Sequence, residues 1–255
     1  MVLKKLVGRA LYRVGYNAVH KEVLPHLGLC LHLKKLFESQ RIDTVWDVGA
    51  NRGQFYRLLR KGIEFRGRIL SFEPVPYLYK RLAERSATDP EWHVFPYVLG
   101  EEARRVAINI TKADDMSAFL TPDASHTDRF RESNTTVDTA MVDIKCLDDV
   151  YRHLCERYPI QRSYLKMDTQ GYDLKVVAGA GAVISNFVAL QTEASVLPMY
   201  EGMPDYQTSI ARLREAGFEL SGVFPVMTDE RLRLIEFDCV MVNPSRIDRI
   251  PARAH

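Results

Sequence analysis

Residues 45–55, VWDVGANRGQF, run a short apolar stretch directly into two glycines, an alanine and an asparagine, and then into a helical pattern. A strand that hands over to a helix in this way opens a βα unit. A short turn needs few special residues, so this density of small and polar ones implies that something rests against the backbone there. The junction constrains everything downstream, because a parallel strand must be followed by a crossover and another strand.

The rest of the chain meets that demand. QFYRLLRKG has helical spacing and closes at Gly62, GRILSFEPVP is a second strand ended by Pro74 and Pro76, and YLYKRLAERSA is a helix. WHVFPYVLG is expected as a third strand. The strand-like RVAINIT and TAMVDIKC flank a polar stretch rich in Ser, Thr, Asp and Asn, which reads as an inserted hairpin with a long loop of the functional kind. LDDVYRHLCERY is a helix, RSYLKMDTQGYDLKVVAGAGAVI gives a fourth strand, a polar turn and a helix, and FVALQTEAS gives a fifth strand. After the helix DYQTSIARLREAG, two strand runs joined by MTDERLR form a hairpin, so at least one of them is antiparallel to the sheet. The expected architecture is an α/β domain over residues 41–246, with an N-terminal helical extension (1–40) and a tail (247–255).

At 255 residues and 46% hydrophobic content the chain supports one sizeable core. A net charge of +2 points to no nucleic-acid partner. Cys30, Cys146, Cys155 and Cys239 form no CxxC pair, which argues against a zinc ribbon or a disulfide framework and for a cytoplasmic home. In the first segment Leu3, Leu6, Val7, Ala10, Leu11 and Val14 recur at helical spacing, interrupted too closely by Lys4, Lys5, Arg9 and Arg13 for a signal or membrane span. This basic amphipathic helix is expected to pack on the protein's own core or on a second copy of the chain; contact with an anionic membrane surface is the alternative.

Within the turn, Gly49, Ala50, Asn51 and Gly53 are placed for a cofactor, with helix N-terminal amides directed outward. Glu73, in SFEP at the end of the second strand, is placed to accept from both hydroxyls of a ribose. The register is not G-x-G-x-x-G, and Asp47 at the strand end repels a pyrophosphate. Asp47 instead suits a cationic ligand such as the sulfonium region of S-adenosylmethionine.

WDVGANRGQF, LSFEPVPYLYKRL, LKMDTQGYDLKVVAGA and LQTEASVLPMYEGMPDY together resemble the motifs of FkbM-type S-adenosylmethionine-dependent methyltransferases, over roughly residues 43–242. The resemblance implies a Rossmann-like class I methyltransferase fold, with a seven-stranded mostly parallel sheet, an antiparallel C-terminal hairpin and helices on both faces. It also implies O-methylation of hydroxyls on sugars or natural products. Carried over, Gly49, Ala50, Asn51 and Gly53 form the cofactor loop, Asp47 lies near the methionine end, Glu73 and the adjacent Pro74 hold the ribose, and Val98, Leu99 and Gly100 pass the adenine. The family's D-x-E-G appears as Asp168-Thr169-Gln170-Gly171, which removes a charge.

Methyl transfer to oxygen needs positioning and a destination for the hydroxyl proton. Asp168 and Glu193, at neighbouring strand ends, are the expected catalytic carboxylates, with Asp168 also beside the cofactor. Mg²⁺ between them is not favoured, because no third carboxylate is placed to complete its ligands. His126 in the polar insertion is a further catalytic candidate, and Asp115, Met116 and Ser117 are candidates to reach the site. His20, His26 and His32 lack the spacing of a helical metal pair. Tyr200, Met203 and Tyr206 read equally as an acceptor wall or as core. The expected acceptor is a small-molecule or glycolipid hydroxyl, which the basic N-terminus would suit. An NAD-dependent oxidoreductase and a non-catalytic scaffold of the same fold are the competing readings.

Overall fold

The computed structural model describes residues 21–111 and 136–248. Among the described residues ten strands form two sheets: β1 (Thr44–Val48), β2 (Arg68–Phe72), β3 (Trp92–Phe95), β4 (Tyr97–Gly100), β5 (Arg104–Thr111), β6 (Thr136–Cys146), β7 (Ser163–Met167), β8 (Phe187–Ser195), β9 (Glu219–Thr228) and β10 (Leu234–Val242). The main sheet has seven strands in the order β3-β2-β1-β7-β8-β10-β9. β10 is antiparallel to both β8 and β9, while β1, β2, β3, β7 and β8 pair in parallel. The expected seven-stranded, mostly parallel sheet with its antiparallel C-terminal hairpin is therefore present.

Alternation along the strands decides which helix covers which face. Val45, Ile69, Tyr164 and Val240 pack in one cluster with Leu33 and Phe37 of α1 (Leu27–Gln40) and Phe55 of α2 (Gln54–Arg57), which continues as a wider π turn over Leu58–Gly62. Leu82 of α3 (Pro76–Ser86) joins the same face. Trp46, Leu70, Leu165 and Leu190 point the other way, onto α4 (Leu147–Arg157), α5 (Asp173–Ala180) and α6 (Tyr206–Glu215) through Leu154, Val176 and Leu213. Each fully buried large side chain in these layers contributes roughly 1.5–3 kcal/mol. Trp46 is sealed in by Tyr151 at 5.3 Å and Phe72 at 5.9 Å, and its indole N–H donates to Ser163 Oγ at 3.2 Å.

Two expectations change. The stretch 92–100 is not one strand, because Pro96 has no N–H to continue the ladder. β3 stays in the main sheet and β4 leaves to form a second sheet in the order β4-β6-β5, with β4 parallel and β5 antiparallel to β6. Residue 40 also does not separate an extension from the domain: Leu29, Leu33, Leu36 and Phe37 of α1 belong to the core of the sheet. The amphipathic segment over residues 1–20 lies outside the described residues. No described helix is long and apolar enough to cross a membrane, and all four cysteines are free.

Candidate active site

The carboxyl ends of β1, β2, β7 and β8 border a cavity of about 960 Å³. This is the upper part of the ~300–1,000 Å³ range typical of small-molecule sites, and it leaves room for two reactants.

One end of the cavity is built around the glycine turn. Gly49, Asn51 and Gly53 all have left-handed backbones, with φ of 78°, 48° and 75°. A Cβ on Gly49 would overlap the Asp168 carbonyl oxygen, so only glycine lets the ends of β1 and β7 meet. The turn's amides point inward rather than at a ligand. Gly49 and Ala50 both donate to the Phe72 carbonyl at 3.1 Å, Gly53 donates to the Ala50 carbonyl at 2.7 Å, and Asn51 N–H donates to Glu73 Oε2 at 2.6 Å. The expectation of outward-facing amides from these residues is thus corrected: the turn is a spacer that brings backbone close, and its donors are already used. Gly49, Ala50 and Asn51 line the cavity; Gly53 instead sits where a Cβ would crowd Leu82 and Arg85.

Glu73 lies just past β2, only 4% exposed, on the cavity wall with Pro74. Its Oε1 accepts from the Val75 N–H at 2.8 Å, so each carboxylate oxygen is oriented by one backbone amide. Burial raises its pKa to about 7, against the opposing pull of those amides and of Lys166. Val75, Leu78, Val98 and Ile108 form an apolar wall beside it. Leu99 and Gly100 do not line the cavity. Successive strand residues face opposite sides, so Val98 faces the cavity while Leu99 is fully buried in the main core, and a Cβ on Gly100 would meet Ile144 and Tyr172.

Asp47, expected to face a ligand, does not line the cavity. It is fully buried, accepts from Ser71 Oγ at 3.0 Å, and pairs with Lys166 Nζ at 3.3 Å. The Ser71 hydroxyl oxygen in turn accepts from the Trp92 indole N–H at 3.0 Å. Lys166 also reaches Asp168 Oδ2 at 3.3 Å and the Gly49 carbonyl at 3.1 Å, which uses its three donors. Burial opposes its charge, but Asp168 and Asp47 outweigh that and raise its pKa above the ordinary lysine value.

The other end of the cavity is acidic. Asp168, Glu193, Glu236 and Asp238 line it. Gln170, itself left-handed at φ 53°, gives its Nε2 to Asp168 Oδ1 at 3.3 Å and Glu193 Oε2 at 3.4 Å, while its Oε1 accepts from Tyr200 OH at 3.0 Å. Gln191 repeats the device: its Oε1 accepts from Tyr164 OH at 3.0 Å and its Nε2 donates to Asp238 Oδ1 at 2.8 Å. Glu236 accepts from Ser195 Oγ at 2.9 Å. Asp173, at the start of α5, ties the turn after β7 together by accepting from the Thr169 N–H at 2.9 Å and from the Thr169 and Thr192 hydroxyls. Burial, and then the mutual repulsion of these acids, raises the pKa of Glu193 well above the ordinary range and that of Glu236 above its usual value. Asp238 is pushed up to about 6, mainly by burial. Among the described residues no three His, Cys, Asp or Glu side chains converge as metal ligands.

The structure therefore brings Asp168, Glu193 and Glu73 to one cavity. His126, Asp115, Met116 and Ser117 lie outside the described residues. Tyr200 and Met203 are buried and Tyr206 packs on the core; Met199 is the residue of that stretch on the cavity wall. His26 lines the cavity mouth, and His32 bonds Ser221 Oγ at 3.0 Å. Sequence reasoning missed Lys166, Gln191, Glu236 and Asp238. The signal was available for three of them: a lysine inside the buried strand SYLKM, and acids at alternate positions of IEFDCV.

The sequence model of the family described as Methyltransferase FkbM domain matches residues 47–220. Among solved structures, methyltransferase FkbM from Methylobacillus flagellatus KT superposes with a TM-score of 0.50 at 18% identity, over 79% of this chain and 43% of that one. This chain thus spans less than half the length of that protein, and at such identity the likeness is one of fold. Aeropyrum pernix fibrillarin in complex with natively bound S-adenosyl-L-methionine gives a TM-score of 0.46 at 14% identity, over 84% and 73% of the two chains. Magnesium protoporphyrin IX methyltransferase from Synechocystis PCC 6803 with bound SAM gives 0.45 at 9%, over 90% and 86%. No curated protein matches the chain.

Proposed function

The chain belongs to the FkbM methyltransferase family, and from that premise we propose that it transfers a methyl group from S-adenosylmethionine to a hydroxyl oxygen. The observation that carries the cofactor half is Glu73, whose carboxylate is fixed by two backbone amides at the cavity wall beside the glycine turn. That carboxylate suits ribose hydroxyls, and the neighbouring wall of Val75, Leu78, Val98 and Ile108 suits a flat adenine. Bound S-adenosylmethionine would supply an electrophilic methyl group on a sulfonium. The chain's own contribution is to position the acceptor and to receive its proton.

Asp168 and Glu193 are the residues we assign to that proton, because both line the cavity at the ends of β7 and β8. Val23, Leu29, Leu58, Val226 and Met227 add apolar surface to the same cavity, which supports an acceptor combining a hydroxyl with apolar surface, such as the sugar of a glycolipid or glycosylated natural product. A cytoplasmic reaction and a peripheral membrane contact through residues 1–20 belong to the same proposal. Deleting those residues tests the contact without removing α1 from the core: equal activity on soluble and membrane-embedded acceptors would exclude it.

The cofactor is tested by calorimetry with S-adenosylhomocysteine and, separately, NAD, on wild type and Glu73→Gln. The expected result is binding of the first ligand, weakened in the variant, with no heat from NAD. Absence of S-adenosylhomocysteine binding to folded protein would remove the reading and favour a scaffold.

A further inference from the structure

The two Tyr–Gln–carboxylate chains at the acidic end differ in one respect. Gln191 serves one acid, Asp238, and like Gln170 is held by a buried tyrosine. Gln170 serves two acids from different strands, both on the cavity wall. The Tyr200 hydroxyl donates to Oε1 while the NH₂ faces Asp168 and Glu193, whose carboxylates accept when ionised. The backbone at Gln170 is left-handed, in the turn between β7 and α5.

We propose that Gln170 is a positioning residue that, anchored by Tyr200, ties Asp168 and Glu193 into one pair through a shared amide, so that the proton leaving the acceptor hydroxyl is received by two carboxylates fixed relative to each other. This rests on the methyl-transfer reading. In that step the acceptor oxygen bonds to the methyl carbon, the carbon–sulfur electron pair stays on sulfur, and the hydroxyl proton passes to a carboxylate of the pair. A sulfonium and a carboxylate are thereby replaced by a thioether and a carboxylic acid, and charge balances. The surrounding charges are arranged asymmetrically: Lys166, with Asp47 behind it, lies against Asp168, while Glu236 and Asp238 of β10 press on Glu193 and Asp173 of α5 acts on both. The bridging amide is the neutral donor between these two halves.

The test needs no acceptor. Carbon-13 NMR of side-chain carboxyls in the full chain, free of cofactor, is followed against pH in wild type, Gln170→Glu, Tyr200→Phe and Gln191→Leu. In wild type the Glu193 transition is expected to be visible at both the Glu193 and the Asp168 carboxyl signals. Gln170→Glu replaces the donor by a like charge and is expected to raise the Glu193 transition by at least about one pH unit, a tenfold change in proton affinity. Tyr200→Phe, which keeps packing and frees the amide, is expected to shift it less in the same direction. Gln191→Leu is expected to move Asp238 and leave the coupling of Asp168 with Glu193 intact. A Glu193 transition that leaves the Asp168 carboxyl signal unchanged in wild type, or a Glu193 transition unmoved in both Gln170→Glu and Tyr200→Phe, overturns the proposal. S-adenosylhomocysteine binding, measured separately on the same samples, keeps the two readings distinct: binding with unmoved titrations sinks only the role of Gln170, and loss of binding with shifted titrations sinks only the cofactor.

Discussion

At the Glu73 end of the cavity the carboxylate is held by main-chain amides of two neighbouring turns, whereas at the Glu193 end the acids are held by side chains of β7, β8 and the turn after β7. Backbone amides are supplied by any sequence once the turn has formed. A side-chain network exists only while each member is present, and in a low-dielectric site an unpaired member is costly. The first end is thus robust to side-chain substitution, and the second depends on each of its members.

The sharpest way to break this contrast is at Lys166, the cation between the two ends. Lys166→Met leaves Asp47 buried without its counter-charge and should destabilise the fold by about 3–5 kcal/mol in urea denaturation. Gly49→Ala comes next: the left-handed backbone and the overlap with the Asp168 carbonyl predict a loss of about 2–3 kcal/mol by the same measurement, with both ends of the cavity disturbed together. Glu73→Gln should touch one end only. It should lower S-adenosylhomocysteine affinity roughly tenfold, about 1.5 kcal/mol, in calorimetry while leaving the carboxyl titration of Glu193 in place.

The smallest effect is in pH. The Glu73 carboxyl sits at about 7 rather than its ordinary 4.5, so between these values the folded protein keeps a proton that the unfolded chain has released. Its contribution to stability is full below 4.5 and is lost as pH rises through 7, so Glu73→Gln should show less loss of stability between pH 6 and 8 than wild type. Ribose hydroxyls donate best to the charged form, so S-adenosylhomocysteine affinity should rise severalfold over the same window in wild type and stay flat in the variant.

The βα order, the C-terminal hairpin, the glycine turn and Glu73 were all legible in the chain, because each follows from hydrophobic period, turn residues and position relative to a strand end. Asp168 and Glu193 were found by the same rule of strand ends. Other details were not visible. A strand interrupted at Pro96 looks continuous until the second sheet exists to receive its far half. Asp47 reads as a ligand-facing acid until Lys166, 119 residues away in sequence, is seen beside it.

What the sequence alone determined, then, is local: which segments are strands and helices, where the turn needs glycine, and which acids lie at strand ends. The partners of those acids were decided by the tertiary structure, because a carboxylate's role depends on the charges and donors within a few ångströms of it. In this chain those come from strands brought together only by the parallel order of the sheet, which sets Lys166 against Asp47 and Gln170 between Asp168 and Glu193.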